Sequence, residues 1–209
     1  RADVATIKPY LFWKNLIDYT KSKDSEFLFL AETSDSWNKP ISDYAPFTNY
    51  FNLLKAGFDG YYGSFFNLKS FKNVSQFEKL VSFNNKLFKK FNNKKSVIGC
   101  FSTHDELSPI LIGGKNFSIL TMWLNATLNI NPYFVDGIYG GDNYIYKFSN
   151  KKLNYTFTDN DIAYVHEGKL DIFNFSRKPK NDDIDLINMF KKALDFRINN
   201  QEIINNGQF

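Results

Sequence analysis

The sequence has only one cysteine, Cys100, which excludes a disulfide bond within the chain. This scarcity suits a reducing compartment, and we expect a cytoplasmic location. No apolar run is long enough to cross a bilayer and no secretory signal is visible, so we expect no membrane partner. Because the chain opens on Arg1 rather than on methionine, we also expect the natural N-terminus to lie further upstream.

The sequence also lacks a large excess of positive or negative charge. The formal net charge is +4, and much of the excess lies in helix-like stretches such as 77–95, where lysines alternate with an apolar face. That pattern is typical of a solvated helix surface, and we expect no nucleic-acid partner. The glycine pairs at 113–114 and 140–141 lack the spacing of a phosphate-binding loop or a dinucleotide fingerprint, so we interpret them as turns.

Short apolar runs alternate with amphipathic segments, which is the pattern of parallel β/α units. Strands are predicted at 27–31, 58–62, 97–102 and 133–135, and helices at 10–19, 76–91, 115–128 and 182–197. In the second helix, Phe77, Leu80 and Leu87 belong to one apolar stripe at helical spacing. The segment 139–180 lacks a clear helix and is predicted to be an elaborated loop with a hairpin around 166–169.

Three acidic residues stand at or just beyond the carboxyl ends of predicted strands, namely Asp3, Glu32 and Asp105. In a β/α barrel this edge is where catalytic residues gather. A carboxylate at the top of a buried strand is unfavourable unless it is paired or used. One alone is more often a helix cap or a structural ion pair. Three on different strands, two with arginine or histidine close by, favour an active site.

The residues around these acids resemble the strand motifs of the α-amylase superfamily, glycoside hydrolase family thirteen. Arg-Ala-Asp-Val-Ala at 1–5 resembles the strand-four motif, Phe-Leu-Ala-Glu at 29–32 the strand-five motif, Phe-Ser-Thr-His-Asp at 101–105 the strand-seven motif, and 131–137 the strand-eight region. The stretches 8–13 and 103–106 are more similar to glucan and maltosyl transferases of the superfamily. The resemblance implies an α/β fold, a (β/α)8 TIM barrel of which residues 1–209 hold strands four to eight with their helices.

This resemblance implies retaining hydrolysis or transglycosylation of α-1,4-glucans or maltooligosaccharides. Asp3 would be the nucleophile, and Glu32 would act first as the general acid and then as the base. Asp105 would be a carboxylate that binds sugar hydroxyls. Arg1 would pair with Asp3 and hold it ionised, and His104 would donate to the sugar in the central subsite. No organic cofactor is implied, and the usual ligands of a structural calcium ion would lie upstream of this chain.

Further substrate contacts are predicted at Trp37, Tyr139 and Asp142. Trp37 belongs to a set of aromatic residues after strands five and six that suit sugar stacking and core packing equally well: Trp37, Tyr44, Tyr61, Tyr62 and Phe65. Tyr139 and Asp142 begin the long loop, which would overhang the active face. Thr6 and Ile7 replace a Lys-His pair that many amylases carry, so the acceptor-side specificity is left open.

Two other interpretations stay open at this point. One is a non-catalytic glucan-binding or accessory protein that keeps the barrel, and the other is an unrelated β/α protein with chance matches. The half-barrel interpretation also predicts a protein partner, because strands four and eight would each lack a neighbour. That partner would be the missing N-terminal half of the barrel or another copy of the chain.

Overall fold

The computed structural model describes residues 1–33, 47–62, 65, 68, 71–103, 108–135, 137–141 and 182–207. They form two compact units, Arg1–Cys100 and Phe101–Gly207. Helices alternate with strands, and the strand pairs of the first unit are parallel, so the α/β class predicted from the sequence is confirmed. The (β/α)8 barrel itself stays a prediction. None of the described helices is both long and apolar enough to cross a membrane.

The first unit alternates helices with parallel strands. Along the described chain these are α1 (Tyr10–Lys23), β1 (Leu30–Ala31), α2 (Phe47–Ala56), β2 (Gly60–Tyr62), α3 (Val74–Lys89) and β3 (Ser96–Cys100). The strands pair in sequence order, with Leu30 opposite Gly60 and Tyr61 opposite Val97. Ala2 adds an isolated parallel bridge to Ala31 on the other side of β1. The start of the chain therefore lies alongside β1.

Strand β1 is shorter than the predicted strand at 27–31. The backbone N–H of Phe27 donates to the Asp24 carbonyl at 3.2 Å in a turn. The N–H of Phe29 donates to the Asp59 carboxylate at 2.8 Å instead of to a neighbouring strand. The Phe29 carbonyl still accepts the backbone N–H of Asp59 at 2.8 Å, so the regular strand begins at Leu30 because the N–H groups before it bind elsewhere.

The same Asp59 carboxylate anchors the amino edge of the sheet. It lies directly before β2 and accepts two bonds from the Lys21 ammonium of α1, at 2.7 and 2.9 Å. Lys95, just before β3, approaches it at 3.8 Å. Burial lowers the pKa of Lys95, and Asp59 partly opposes that effect. This network ties α1 to two strand starts, and in β/α folds the amino edge is the one that serves stability.

Helix α3 is predicted within two residues at each end, and local side-chain chemistry explains where it starts. The Asn73 side chain accepts the backbone N–H of Gln76 at 3.1 Å, and the Gln76 side chain accepts that of Lys72 at 2.8 Å. The first bond satisfies one of the N–H groups that the first helical turn leaves unpaired, and the second fixes the residue before the N-cap. Leu80 and Leu87 are buried, as the apolar stripe predicts.

Helix α2 was not predicted, although the spacing of its apolar residues contains the signal. Tyr50, Leu53 and Leu54 recur at i, i+3 and i+4, and all three are buried. The Tyr50 ring stacks on that of Tyr61 in β2, with centroids 4.5 Å apart. The helix is therefore stabilised by tertiary packing against the sheet, which a short apolar pattern by itself does not reveal.

The second unit contains α4 (Pro109–Thr127), β4 (Asn131–Tyr133), a 3-10 turn (Ile138–Gly140), α5 (Ile184–Asn199) and α6 (Gln201–Asn206). Its core includes Met122, Ala126, Leu186 and Ala193 on the facing sides of α4 and α5. Helix α4 starts earlier than the predicted 115, but its regular geometry breaks at Gly113 and Gly114. The predicted helix corresponds to the segment after this break. Strand β4 lies two residues earlier than the predicted 133–135.

Arg197 of α5 closes the end of α4. Its guanidinium donates to the carbonyls of Asn125 at 3.0 Å, Ala126 at 3.4 Å, Leu128 at 3.0 Å and Ile130 at 2.6 Å. Carbonyls at a helix end have no partner within the helix, so an external donor satisfies them. Burial lowers the pKa of Arg197.

Replacing Arg197 with Ala is expected to lower the free energy of unfolding by about 2 to 4 kcal/mol, because several carbonyls lose their donor at once. Chemical unfolding of the intact protein, followed by circular dichroism, measures this difference. Lys192→Ala, an exposed change on the same helix, is the matched control and should alter stability by less than about 0.5 kcal/mol. Equal effects of the two substitutions would contradict the capping role.

Candidate active site

Glu32 stands at the carboxyl end of β1, and both its backbone N–H and its backbone carbonyl are hydrogen-bonded to the start of the chain. Its N–H donates to the Ala2 carbonyl at 2.9 Å, and its own carbonyl accepts the N–H of Ala5 at 2.7 Å. The residue is only 3% exposed. Because parallel strands end at a common edge, these bonds bring Glu32 beside the segment that carries Asp3.

The Arg1 guanidinium bridges the two carboxyl groups. Its Nη1 donates to Glu32 Oε1 at 2.9 Å, and its Nη2 donates to Asp3 Oδ1 at 3.0 Å. The surroundings of the two acids differ strongly, since the Glu32 side chain is 4% exposed and that of Asp3 is 75% exposed. The structure thus brings together three of the predicted site residues, with one acid enclosed and the other open to solvent.

A backbone N–H completes the environment of the buried acid. Val4 N–H donates to Glu32 Oε2 at 3.2 Å, so each oxygen of this carboxyl group has a donor. Val4 has φ 40° and ψ 54°, in the left-handed region that β-branched residues rarely adopt. Backbone strain of this kind persists only where surrounding contacts hold it. The Val4 conformation directs its N–H at Glu32, and valine gives no sequence signal for such a role.

The pKa of Glu32 is raised above its ordinary value. Burial is the main cause, and a hydrogen bond with the Asp3 carboxyl acts in the same direction. The Val4 N–H and the Arg1 charge favour the ionised form, but the effect of burial is larger. Tyr62, at the end of β2, also interacts with Arg1, and burial raises the pKa of its phenol. Burial and the neighbouring Asp3 carboxyl thus favour the neutral form of Glu32 over the ionised form.

This raised pKa has a consequence for stability. The folded protein holds the Glu32 proton more tightly than the unfolded chain does, so the free energy of unfolding should fall as pH rises from the unfolded-state pKa of Glu through the raised folded value. Glu32→Gln cannot ionise and should lack that decline, whereas the exposed Glu26→Gln should retain it. Scanning calorimetry of the intact protein across about pH 4 to 8 measures both. Parallel curves for all three proteins would contradict the raised pKa.

Four other predicted site residues lie outside the described residues, namely Trp37, His104, Asp105 and Asp142. Tyr139 is described and partly buried, and its ring stacks on Phe190 of α5 with centroids 5.1 Å apart. Tyr139 therefore has a packing role, and its contact with substrate remains a prediction. Among the aromatic residues weighed for sugar stacking, Tyr61 is buried and bonds Asn84, and Phe65 is buried as well, so both serve packing.

No protein-family model matches this sequence, and the search of curated proteins finds no match either. The site itself therefore carries the functional argument.

Proposed function

We propose that this chain carries the catalytic acids of an enzyme that hydrolyses or transfers α-1,4-glucosidic bonds with retention of configuration. The observation that carries the proposal is the pair of carboxyl groups bridged by Arg1, in which Glu32 is buried with a raised pKa and Asp3 is exposed. Two acids in such different surroundings suit the two roles that retaining glycosidases need.

The position of the two carboxyl groups at the edge of the sheet supports the same proposal. Asp3 and Glu32 both follow parallel-paired residues at the carboxyl edge of the sheet. In (β/α)8 barrels this is the face that holds the active site, and we place the chain in such a barrel as strands four to eight. The motif order from Asp3 through Glu32 to Asp105 supports this assignment within the α-amylase superfamily.

In the first step, an Asp3 carboxylate oxygen attacks the anomeric carbon of the sugar and forms a glycosyl ester. The bond from that carbon to the glycosidic oxygen breaks, and Glu32 gives its proton to the departing oxygen. Asp3 is open to solvent and therefore accessible to a substrate. The raised pKa of Glu32 favours the protonated form that this transfer needs.

In the second step, Glu32 acts as a base. Its carboxylate takes a proton from water or from a sugar hydroxyl, and the resulting oxygen attacks the anomeric carbon. The ester bond to Asp3 breaks, which regenerates the free carboxylate with overall retention. Water as acceptor gives hydrolysis, and a sugar hydroxyl gives transfer.

Arg1 positions both acids and balances their charge during these steps. With its two terminal nitrogens on different carboxyl groups, it holds their oxygens in one region. In this proposal Asp105 and His104 complete the site by binding sugar hydroxyls around the reacting carbon. Bonds to those hydroxyls that strengthen in the transition state would add to the rate.

Product analysis of the intact protein with maltooligosaccharides tests the proposal. Proton NMR at early times should show new reducing ends in the α configuration, because the mechanism retains configuration. Glucose and maltose alone would indicate hydrolysis, and a ladder of longer products would indicate transfer. Products that first appear in the β configuration would contradict the roles of Asp3 and Glu32. Maltooligosaccharide binding without any turnover would instead indicate a binding protein.

A further inference from the structure

The Arg1 guanidinium has a further partner besides the two acids, the side-chain hydroxyl group of Tyr62. An arginine side chain has only donors, so an N–H of Arg1 donates and the Tyr62 oxygen accepts. Burial opposes the charge of Arg1, but Glu32, Tyr62 and Asp3 together hold the pKa of the guanidinium above its ordinary value. The arginine that bridges the acid pair is therefore also bonded to the neighbouring strand.

Tyr62 is fixed at the carboxyl end of β2 through its backbone as well as through its side chain. It pairs with Ile98 in the parallel register with β3, and its carbonyl accepts the Thr33 hydroxyl at 3.4 Å. The residue is only 8% exposed. Because Thr33 directly follows Glu32, the buried acid and the tyrosine are held by the same stretch of chain.

The phenol of Tyr62 differs from the two acids because its charge does not change during the proposed reaction. Burial is the main cause that raises the pKa of Tyr62 above that of an ordinary phenol, so the hydroxyl stays neutral near neutral pH. Asp3 loses its negative charge when it becomes a glycosyl ester, and Glu32 becomes charged when it gives up its proton. Of these partners of Arg1, Tyr62 alone keeps the same charge in both steps.

We propose that Tyr62 is a positioning residue that keeps the Arg1 guanidinium between Asp3 and Glu32 through both steps of the reaction. The proposal rests on the proposed function for the reaction itself. In the first step, attraction to the Asp3 carboxylate also holds the guanidinium. Once the ester has formed, that attraction is lost, and the Tyr62 hydroxyl keeps the positive charge beside the Glu32 carboxylate that acts as the base.

The groups around Glu32 decide the sign of the effect that loss of the Tyr62 hydroxyl should have. Burial and Asp3 raise the pKa of Glu32, whereas the Val4 N–H and the Arg1 charge lower it. If Arg1 is held less closely, its charge stabilises the Glu32 carboxylate less, and the pKa of Glu32 should rise further. The titratable groups that face this region are Arg1 and Asp3 from the chain start, Tyr62 from β2 and Cys100 from β3.

Carbon NMR of the intact protein, labelled at the glutamate carboxyl carbons, measures the titration of Glu32 without any need for turnover. The spectrum of Glu32→Gln identifies the signal. Tyr62→Phe keeps the buried ring and is expected to raise the Glu32 midpoint by about 0.5 pH unit or more. Tyr61→Phe is the matched control and should leave that midpoint unchanged, because it removes a buried hydroxyl of the same strand that bonds Asn84 instead of Arg1.

An Arg1→Gln background tests whether Tyr62 acts through the arginine. In that background, Tyr62→Phe should change the Glu32 midpoint by less than about 0.2 pH unit, because the two changes remove the same contact. A shift of equal size in both backgrounds would overturn the proposal, and so would an unchanged midpoint in the Tyr62→Phe protein. Melting temperatures of all variants show that each remains folded.

Kinetics with an aryl α-glucoside separate this proposal from the proposed function. A higher pKa of Glu32 leaves less of the carboxylate base, so Tyr62→Phe should slow the second step more than the first, and a burst of released phenol should precede the steady state. Equal slowing of both steps would overturn the role of Tyr62 and leave the enzyme standing. A Glu32 midpoint that depends on Tyr62, in a protein without turnover, would overturn the enzyme and leave Tyr62 as the residue that holds Arg1.

Discussion

Under the proposed mechanism, replacing Asp3 with Asn in the intact protein should lower kcat by at least about a thousandfold. The amide keeps the shape of the side chain and can still accept the Arg1 bond, but it is a very poor nucleophile toward the anomeric carbon. Because this role belongs to the transition state, KM should change much less than kcat. Steady-state kinetics with a maltooligosaccharide measure both constants.

Asp18→Asn is the matched control for this change. Asp18 is an exposed carboxylate on α1 that pairs with Lys14, far along the helix from the acid pair. Its substitution should leave kcat within about twofold, because isolated surface ion pairs contribute little. An Asp3→Asn enzyme with near-normal turnover would show that another residue forms the bond to the sugar.

Glu32→Gln should produce a loss that depends on the leaving group. For a maltooligosaccharide, whose departing sugar needs a proton, we expect kcat to fall about a hundredfold to ten-thousandfold. For an aryl α-glucoside with an acidic phenol, the first step needs little proton donation and should be much less affected. Under the same proposal, kcat/KM of the unaltered protein should decline as pH rises through the raised pKa of Glu32, and the variant should lose that dependence.

Comparison of the two substrates distinguishes an acid from a merely structural residue. A general loss of folding would reduce turnover of both substrates equally and would leave the shape of the pH profile unchanged. The exposed Glu26→Gln provides the control for loss of a carboxylate elsewhere on the chain. The same loss for natural and aryl substrates would contradict the role of Glu32 as the acid.

Much of the α/β pattern was predictable because it depends on local periodicity. The Leu80 and Leu87 stripe defines α3, and the apolar run before Glu32 defines the end of β1. The sequence also predicted that one site contains Arg1, Asp3 and Glu32. That prediction followed from a general rule, because parallel strands end at one edge of a sheet. For His104 and Asp105, which lie outside the described residues, convergence on that site stays a prediction.

Other features arise only when distant segments pack, so the sequence did not reveal them. The apolar spacing of α2 is visible in the sequence, but the packing of Tyr50 against Tyr61 that stabilises this helix is not. The left-handed conformation of Val4 depends on bonds made by its neighbours and is disfavoured by valine itself. The hydrogen bond between Arg1 and Tyr62 joins residues far apart in the chain. Periodicity and motif spacing contain no information about such contacts.

The Asp59 anchor and the acid pair occupy opposite edges of the same short strands. The anchor binds Lys21 and the N–H of Phe29 at the amino edge, whereas Glu32 and Asp3 stand at the carboxyl edge and share no hydrogen bond with it. Natural selection can therefore alter the residues of one edge without dismantling the other. A lineage that retains Asp59 and Lys21 can accept substitutions at the carboxyl edge, because the contacts that support the sheet at the amino edge are kept separately.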